Sequence, residues 1–392
     1  MYEKIKRIKE WIKNGYASPY AIDINPTYAC NLRCKFCNGY QAGLNDKKFD
    51  KIPNEKFLTI VKEAIDLGIK EFHIAGDGEP LMKKKLFLEI AKIIKYHKLY
   101  GKVTTNGTLF DEELIKELVE LEWDIINLSI EGSNDNIHDY LVGINGAFEK
   151  CVNAINFFNK YKTKLRKKNP LIRISTVVTN KNIYDLKNII KLAHRLNIKH
   201  VDFEPLAIAH SKVKELQIKQ KQKGGMDKIF NEVFSVSNKH FIYTNILNLK
   251  KEYMSVIRKL ENKRLNFINN KKIFNPACFQ PWYRIVIRPN GQVQPCCNLY
   301  EPNADNIKEK NLKEIWYGNY FNKIRENILQ HKFYEDCSRC NAWIMKESNK
   351  LRRLIDKNRI FLNTYYHLYS IGKKFIPDMI KDYFYFRIYK NE

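Results

Sequence analysis

The sequence predicts an α/β fold built around a parallel sheet, because short apolar runs alternate with amphipathic helical stretches over residues 20–206. Alternation of this size is typical of strands joined by helical crossovers. The predicted strands cover residues 20–26, 70–76, 101–105, 124–131, 171–179 and 199–206. The predicted helices between them cover residues 54–68, 84–98, 111–122, 146–162 and 184–196. Six such units fit either an open doubly wound sheet or a curved partial barrel, and the pattern alone leaves both open.

Charged and apolar residues alternate at helical spacing in residues 1–18, which predicts an amphipathic N-terminal helix that ends near Gly15 and Pro19. This segment lacks the continuous apolar core of a signal peptide. No apolar run in the sequence approaches the roughly 20 residues that a helix needs to span a bilayer. We therefore expect a cytoplasmic protein.

The chain has 392 residues and a formal net charge of +26. Its length exceeds one typical hydrophobic core, so we expect one large domain and a smaller one. A strong positive charge fits a nucleic-acid or anionic-membrane partner. Lysine and arginine are spread along the whole chain, however, so we favour a solvated basic surface over either of these partners.

Nine cysteines in a cytoplasmic chain indicate metal or redox chemistry rather than a disulfide framework. Three of them lie in the segment Cys30-Asn-Leu-Arg-Cys34-Lys-Phe-Cys37, on the loop that leaves the first predicted strand. Three thiolates on one short loop can bind one metal centre, whereas a closed zinc site or an ordinary iron–sulfur cluster takes four protein ligands. One position is then free for a small molecule. The alternatives are a zinc site completed from elsewhere in the chain and three unrelated buried thiols.

Small or polar residues follow the next predicted strands as well. They are Gly76-Asp-Gly-Glu79, Thr104-Thr-Asn106-Gly107, Ser129-Ile-Glu131-Gly132, Thr176-Val-Val-Thr-Asn180 and Asp202-Phe-Glu204. Each of these could be ordinary turn chemistry or a helix cap. Ligand sites of parallel α/β folds lie at the carboxyl ends of the strands, so the succession predicts a binding site there.

The cysteine spacing, with the aromatic Phe36 directly before Cys37, resembles the signature of the radical S-adenosylmethionine (SAM) superfamily. The resemblance implies a partial (βα)6 TIM-like barrel over residues 19–210. It also implies that Cys30, Cys34 and Cys37 form the catalytic centre, holding a 4Fe–4S cluster whose free iron binds SAM. An electron from the cluster would cleave SAM to methionine and a deoxyadenosyl radical, which removes hydrogen from a substrate.

The same resemblance implies a SAM site at the strand ends. Gly76-Asp77-Gly78-Glu79 is similar to the family's Gly-Gly-Glu motif, with Asp77 interrupting the glycine pair. The implied SAM-contacting residues are Phe36, Gly76, Asp77, Gly78, Glu79, Thr105, Asn106, Ser129, Glu131 and Thr176. Relatives often carry an arginine at the position of Val142, so either another residue contacts the SAM carboxylate here or SAM is held with one fewer contact.

A second group of cysteines lies near the C-terminal end. The run Tyr283–Gln294, with Asn290-Gly291 at its centre, predicts a β-hairpin that brings Cys278 and Cys296 to its open end. A predicted helix at 312–329 is followed by Cys337-Ser-Arg-Cys340. These spacings alone also fit a zinc ribbon with four cysteine ligands.

Hairpin, helix and final cysteine pair together resemble the auxiliary cluster modules called SPASM or, in reduced form, twitch. The resemblance implies a small β-hairpin/helix domain over residues 276–345 that holds one auxiliary 4Fe–4S cluster. Its implied ligands are Cys278, Cys296, Cys337 and Cys340, with Cys297 adjacent but not a ligand. Cys151 stands alone in a predicted helix and is predicted to be a small buried residue.

Two further segments are basic. Residues 211–275 predict a helical bridge with helices near 226–237 and 251–264, which serves either as a lid over the site or as a solvated linker. Residues 346–392 predict a basic, aromatic helical tail docked on the main domain. The alternatives for the tail are an interfacial membrane helix and a stacking surface for nucleic acid.

The predicted function is that of a radical SAM oxidoreductase or transferase acting on a peptide or small metabolite. The resemblance implies that the auxiliary cluster takes an electron back from the substrate, and that a ferredoxin or flavodoxin supplies the first electron. The alternatives are the same chemistry on RNA or on a membrane-surface lipid or glycan precursor. A non-catalytic zinc-binding interaction protein is an alternative of a different class.

Overall fold

The computed structural model describes residues 2–219, 222, 225–259, 278–340 and 342–356. The chain divides into two compact units, residues 1–345 and 346–392. Helix bounds in the described residues are α1 (Tyr2–Asn14), α2 (Asn38–Gln41), α3 (Asn54–Asp66), α4 (Lys84–Tyr96), α5 (Glu112–Glu120), α6 (Asp135–Val142), α7 (Ala147–Lys164), α8 (Leu186–Arg195), α9 (Ser211–Lys214), α10 (Met226–Lys239), α11 (Ile246–Lys259), α12 (Leu312–Tyr317), α13 (Asn319–Leu329) and α14 (Ala342–Asp356).

One sheet runs through the first unit. Its strands in the described residues are β1 (Ala21–Ile24), β2 (Glu71–Ile74), β3 (Tyr100–Thr105), β4 (Ile125–Ser129), β5 (Leu171–Val178), β6 (His200–Pro205), β7 (Tyr243–Thr244), β8 (Arg284–Ile287) and β9 (Val293–Gln294). Their order across the sheet is β7-β6-β5-β4-β3-β2-β1-β8-β9. Neighbouring strands are parallel except for the antiparallel pair β8 and β9.

The strand order decides between the two architectures that the sequence pattern leaves open. A doubly wound sheet reverses its strand order at a switch point. Here β1 to β6 follow the order of the chain, each connected to the next through at least one helix. The predicted α/β class with a partial (βα)6 barrel is therefore confirmed.

The two faces of the barrel strands differ in polarity because successive side chains of a strand point to opposite faces. On one face, Val103, Ile126, Ile174 and Phe203 are fully buried, and we call this the covered face. The other face carries partly exposed polar side chains, and we call it the open face. Its members include Lys102, Thr104, Asn127, Arg173, Ser175, His200 and Asp202.

The predicted C-terminal hairpin is present, and it joins the sheet of the barrel. β8 pairs in parallel with β1, with Ala21 opposite Arg284 and Ile24 opposite Ile287. At the hairpin turn, Gly291 has a φ of +91°, a left-handed conformation that favours glycine. The proposed bounds of the barrel, bridge and auxiliary domain remain predictions, but the hairpin and the barrel share one sheet.

Several helices differ from the predictions. The single helix predicted at 312–329 is two helices, because Gly318 adopts an extended conformation between α12 and α13. Helix α6 was not predicted, and α11 begins before the bridge helix predicted at 251–264. Residues 357–392 of the predicted tail, like residues 260–264, lie outside the described residues. No helix in the described residues is long and apolar enough to span a membrane.

Candidate active site at the carboxyl ends of the strands

The three-cysteine loop leaves the carboxyl end of β1, and its sulfur atoms receive backbone donors. The N–H of Leu32 lies 3.5 Å from Sγ of Cys30. Cys37 is the N-cap of α2, and its Sγ accepts from the N–H of Tyr40 at 3.3 Å. Such N–H donors stabilise negative charge on sulfur, which suits thiolates that bind iron.

Helix α6 holds the cysteine loop in place. The N–H groups of Arg33 and Lys35 donate to the carbonyls of Val142 and Leu141, at 3.0 and 2.9 Å. The side chain of Val142 packs in a small apolar cluster with Leu32. The position at which relatives often carry an arginine is therefore used here to support the loop.

The environment of the three thiols disfavours a free thiolate. Burial raises the pKa of Cys30 to about 11 and also raises the pKa values of Cys34 and Cys37. Nearby carboxylates act in the same direction, Glu79 on Cys30 and Glu131 on Cys34. A cationic iron centre would supply the missing positive charge, so three neighbouring, partly buried thiols fit an iron–sulfur cluster.

In the described residues, no three Cys, His, Asp or Glu side chains are arranged to chelate a single metal ion. A 4Fe–4S cluster instead takes its thiolate ligands on separate iron atoms. The cysteine loop is therefore suited to a cluster rather than to a single metal ion.

Glu79 organises the strand ends next to the cysteine loop. Its carboxylate is buried, with 3% of the residue exposed. Oε1 accepts from the hydroxyl of Thr105 at 2.6 Å and from the N–H of Leu81 at 3.0 Å, and Oε2 accepts from the N–H of Asn106 at 2.8 Å. A carboxylate has about four acceptor positions, so one remains for the predicted SAM ammonium group.

The loops after β1, β2 and β3 are bonded to one another. The N–H of Glu79 donates to the carbonyl of Ala29 at 2.8 Å. A Cβ on Gly78 would lie 2.4 Å from that carbonyl, so only glycine allows this approach. Asn106 Nδ2 donates to Oδ1 of Asn31 at 2.9 Å. The structure thus brings the cysteine loop, the Gly-Asp-Gly-Glu segment and the Thr-Asn-Gly turn together, and half-buried Phe36 lies on the same loop.

Asp77 has partners that the sequence did not predict. Both of its carboxylate oxygens lie 2.9 Å from Nη1 of Arg288. Oδ1 also accepts from the hydroxyl of Tyr300 at 3.1 Å, and Oδ2 from Nδ2 of Asn25 at 3.3 Å. Gly76, with a φ of +141°, lies so close to Asn25 that a Cβ would be 2.3 Å from it. The predicted SAM contact of Asp77 is therefore accompanied by an ion pair to the C-terminal hairpin.

The ends of β4 and β5 carry the remaining predicted residues. Ser129 lies at the end of β4 on the open face. Glu131 is buried, accepts from the N–H of Val177 at 2.7 Å, and has its pKa raised to about 8 by burial. Thr176 lies apart from the others. Its side chain is fully buried on the covered face, and its hydroxyl donates to the carbonyl of Ile130 at 2.6 Å.

His138 on α6 fixes the backbone at Glu131. Its Nδ1 accepts from the N–H of Glu131 at 3.0 Å. Burial lowers the pKa of His138 to about 4, which Asp139 opposes only in part. The imidazole is therefore neutral at physiological pH, and its acceptor nitrogen is the one that faces Glu131. This contact was not predicted from the sequence.

The open face below the site holds a network of charges that the sequence analysis missed. Asp23 Oδ1 lies 2.5 Å from Nη1 of Arg284 on β8. Burial alone would raise the pKa of Asp23, but Arg284 and then His73 hold it well below its usual range. Nε2 of His73 is 2.8 Å from Oγ1 of Thr104. Alternation of polar residues along β2 and β3 was the signal that could have located this network.

The segments that carry the auxiliary cysteines are connected through the hairpin and one side-chain contact. Val286 pairs with Gln294, so Cys278 before β8 and Cys296 after β9 lie at the same open end of the hairpin. The N–H of Tyr300 donates to Asp336 at 3.0 Å and joins this loop to the turn that carries Cys337. In that turn, the N–H of Cys340 donates to the carbonyl of Cys337 at 3.2 Å.

The two other cysteines, Cys297 and Cys151, are not among the predicted ligands. The thiol of Cys297 lies 3.6 Å from Oδ1 of Asn298, and its pKa is raised by a hydrogen bond with Cys296 and by burial. Cys151 is buried, as predicted, and its thiol donates to the carbonyl of Asn106 at 2.9 Å. Cys151 therefore supports the Thr-Asn-Gly turn from behind.

Comparison with known proteins agrees with this geometry. The family model of the radical SAM superfamily matches residues 24–193, and that of an iron–sulfur cluster-binding domain, SPASM, matches residues 278–341. The chain is 22% identical over 327 residues to the PqqA peptide cyclase of Rhizobium meliloti, covering 82% of this chain and 80% of the relative. It is 25% identical over 340 residues to the AdoMet-dependent heme synthase of Methanosarcina barkeri, covering 83% of this chain and 92% of the relative.

Among solved structures, that of Streptococcus suis SuiB bound to the precursor peptide SuiA has a similar fold. The TM-score is 0.59 at 19% identity, and the match covers 82% of this chain and 70% of that chain. The strands, the cysteine loop and the C-terminal hairpin define an iron–sulfur enzyme of the partial-barrel type. The chain belongs to the radical SAM superfamily and carries a C-terminal SPASM domain.

This membership confirms the predicted enzyme class and its cofactors, a SAM-binding 4Fe–4S cluster, SAM and auxiliary iron–sulfur chemistry. It sets aside the alternative of a non-catalytic zinc-binding protein. The ligand residues of each cluster and the contacts to SAM remain predictions.

Proposed function

We propose that this enzyme starts a radical reaction on a peptide or a small metabolite, and that one auxiliary 4Fe–4S cluster accepts an electron from the substrate. The observation that carries the proposal is the bonded assembly of the cysteine loop, Glu79 and the Thr-Asn-Gly turn at the carboxyl ends of the strands. This assembly lies at the end of the polar open face, so the cofactors and a substrate would meet on one side of the sheet.

Different residues of the chain would position the cluster and SAM. Cys30, Cys34 and Cys37 would hold the site cluster, which together with SAM supplies one-electron C–S cleavage when both are bound. Glu79 fixes the turn beside them and keeps one acceptor position for an ammonium group. Glu131, buried next to Cys34, would face the rest of SAM.

A peptide substrate is supported by the comparisons and by the open face. The names of PqqA peptide cyclase and of the SuiB complex refer to peptides. Arg173, His200 and Asp202 offer donors and acceptors along β5 and β6, with His200 Nε2 2.8 Å from Asp202 Oδ2. The heme synthase relative supports a small metabolite as the second substrate class.

We also propose an acidic electron donor of the ferredoxin or flavodoxin type. An open cleft of ≈ 820 Å³ lies beside the cysteine loop and includes Ala29, the residue before Cys30. Its charged lining residues are Lys47, Asp50, Lys51, Lys83, Lys84 and Lys85. A mostly basic rim beside the first cysteine favours an acidic partner, because complementary charge steers association.

The test is metal and product analysis after anaerobic reconstitution. The wild-type chain should bind about eight irons, as two 4Fe–4S clusters require, and form deoxyadenosine from SAM with dithionite. The Cys30/Cys34/Cys37→Ala variant should keep about four irons and form no deoxyadenosine. Cys151→Ser, at a cysteine outside both predicted sites, keeps a donor for the carbonyl of Asn106. It is the matched control and should behave as wild type. Zinc in place of iron, or deoxyadenosine formed by the triple variant, would refute the proposal.

A further inference from the structure

Arg288 connects the two cysteine-bearing parts of the site. It follows β8 directly, and only 1% of the residue is exposed. On one side its Nη1 meets both oxygens of Asp77 at 2.9 Å. On the other side its Nη2 donates to the carbonyls of Cys297 at 2.7 Å and Leu299 at 3.2 Å.

The carbonyl of Cys297 belongs to a peptide group that also contacts a predicted cluster ligand. The N–H of this same peptide group, that of Asn298, donates to Sγ of Cys296 at 3.4 Å. A peptide group is planar, so an arginine that fixes its C=O also fixes the direction of its N–H. Arg288 therefore orients, and by its charge polarises, a hydrogen bond to the sulfur of Cys296.

Tyr300 adds a second connection between the same loops. Its hydroxyl donates to Asp77 at 3.1 Å, and the guanidinium of Arg288 lies 3.6 Å from the centre of its ring. Its backbone N–H continues to Asp336 beside Cys337. A glycine in place of Asp77 could make none of the side-chain bonds, so the aspartate between two obligatory glycines is what joins the SAM-site loop to the auxiliary loop.

We propose that the ion pair of buried Arg288 with Asp77 sets the reduction potential of the auxiliary cluster, with Arg288 as a positioning residue acting through the 297–298 peptide group. This rests on the proposed function, because it requires Cys296 to be a cluster ligand. Net charge and hydrogen bonds to sulfur set the potentials of such clusters. The arginine favours the reduced, more negative cluster, and Asp77 moderates that effect by compensating the positive charge.

The pair predicts shifts of opposite sign. Arg288→Met removes a positive charge and releases the 297–298 peptide group, so the auxiliary potential should fall. Asp77→Asn removes the compensating negative charge while Oδ1 can still accept from Arg288, so the potential should rise. A general loosening of the fold would not give shifts of opposite sign.

The measurement is an EPR-monitored redox titration in the Cys30/Cys34/Cys37→Ala background, where only the auxiliary cluster should remain. At a fixed potential, each substitution should change the ratio of reduced to oxidised cluster at least tenfold, which is about 59 mV for one electron. Arg288→Lys keeps the positive charge but cannot bind Asp77 and the Cys297 carbonyl at the same time as arginine does. Its auxiliary potential should lie between those of wild type and Arg288→Met. Arg7→Met is the control and should leave the potential unchanged. It removes another buried arginine, one that binds the carbonyl of Gly68 at the amino ends of the strands.

The outcomes separate the two proposals. A background protein without iron would refute the auxiliary cluster and the inference together. A background protein with a normal cluster whose potential is unmoved by Asp77→Asn and Arg288→Met, or moved in the same direction by both, would refute the inference alone. If Arg288→Met does not load the cluster, the inference is tested by the other two variants. It then requires a higher potential in Asp77→Asn and a lower one in Arg288→Lys than in the background protein.

Discussion

The two cysteine sites of this protein are assembled in different ways. Cys30, Cys34 and Cys37 lie on one loop, so their spacing in the chain already places the thiols together. The predicted auxiliary ligands come from three separate segments, which are connected by the pairing of the hairpin and by the contact of Tyr300 with Asp336. The first site is thus a local structure supported by its neighbours, whereas the second is a product of the tertiary fold.

The largest expected effect separates the two sites by chemistry. Cys34→Ala should abolish deoxyadenosine formation, at least ~1000-fold, because removal of a ligand disables the essential group as a whole. Cys337→Ala with Cys340→Ala should lose about half of the iron but form deoxyadenosine within about threefold of wild type, since electron entry at the first site does not need the second. The iron content measures cluster loss in each variant, and anaerobic SAM cleavage measures deoxyadenosine formation. Equal loss of cleavage in the two variants would mean that the sites depend on each other.

A smaller effect is expected from the support of the first site. Glu79→Ala leaves the hydroxyl of Thr105 and the N–H groups of Leu81 and Asn106 buried without their acceptor. The free energy of unfolding should fall by about 3 kcal/mol, since each such donor costs about 1–3 kcal/mol. Urea unfolding of the metal-free chain under reducing conditions measures this. The exposed Glu89→Ala is the control, with a change within about 0.5 kcal/mol. A similar small change for Glu79→Ala would show that the turn forms without it.

The smallest effect is a pH dependence at His138. Its pKa is about 4 in the folded protein against an ordinary 6.5, so the unfolded state binds more protons between these values. The contribution to stability is present above pH 6.5 and is lost as the pH falls toward 4. At pH 5 the free energy of unfolding of wild type should therefore have fallen by about 2 kcal/mol more than that of His138→Asn. In this variant Oδ1 of the asparagine can replace the Nδ1 acceptor.

The readout for His138 is the difference in unfolding free energy between wild type and variant at pH 5 and at pH 7.5. The exposed His97→Asn serves as the control and should follow the wild-type pH dependence. A wild-type and His138→Asn difference that does not change with pH would show that His138 titrates normally in the folded chain.

The same contrast between local and tertiary structure explains what could be predicted from the sequence. The six barrel strands alternate with crossover helices, so their positions and the α/β class followed from local periodicity. The three-cysteine loop followed from spacing alone. Helix α6 was missed because its short apolar stripe, between Asn134 and Gly143, lies directly before the stronger pattern of α7.

Long-range partners were not predictable in the same way. Asp77 read as an interruption of a glycine pair, and nothing near it in the sequence indicates Arg288, which is 211 residues away. The pairing of β8 with β1 was unpredictable for a similar reason, since a short apolar strand does not specify which edge of a sheet it joins. Thr176 was chosen from its position at a strand end, but strand alternation puts its side chain on the covered face.

The pairing of β8 with β1 has a consequence for how the chain folds during synthesis. One edge of β1 is covered by β2, but the other can be covered only after nearly three quarters of the chain has been made. Until then the barrel ends in an open strand edge, which is a template for pairing with other chains. Contacts of such sequence separation also slow folding. The hairpin that carries an auxiliary cysteine at its open end is therefore also the segment that completes the barrel. A ribosome-bound fragment ending before residue 284 exposes one unpaired edge of the first strand.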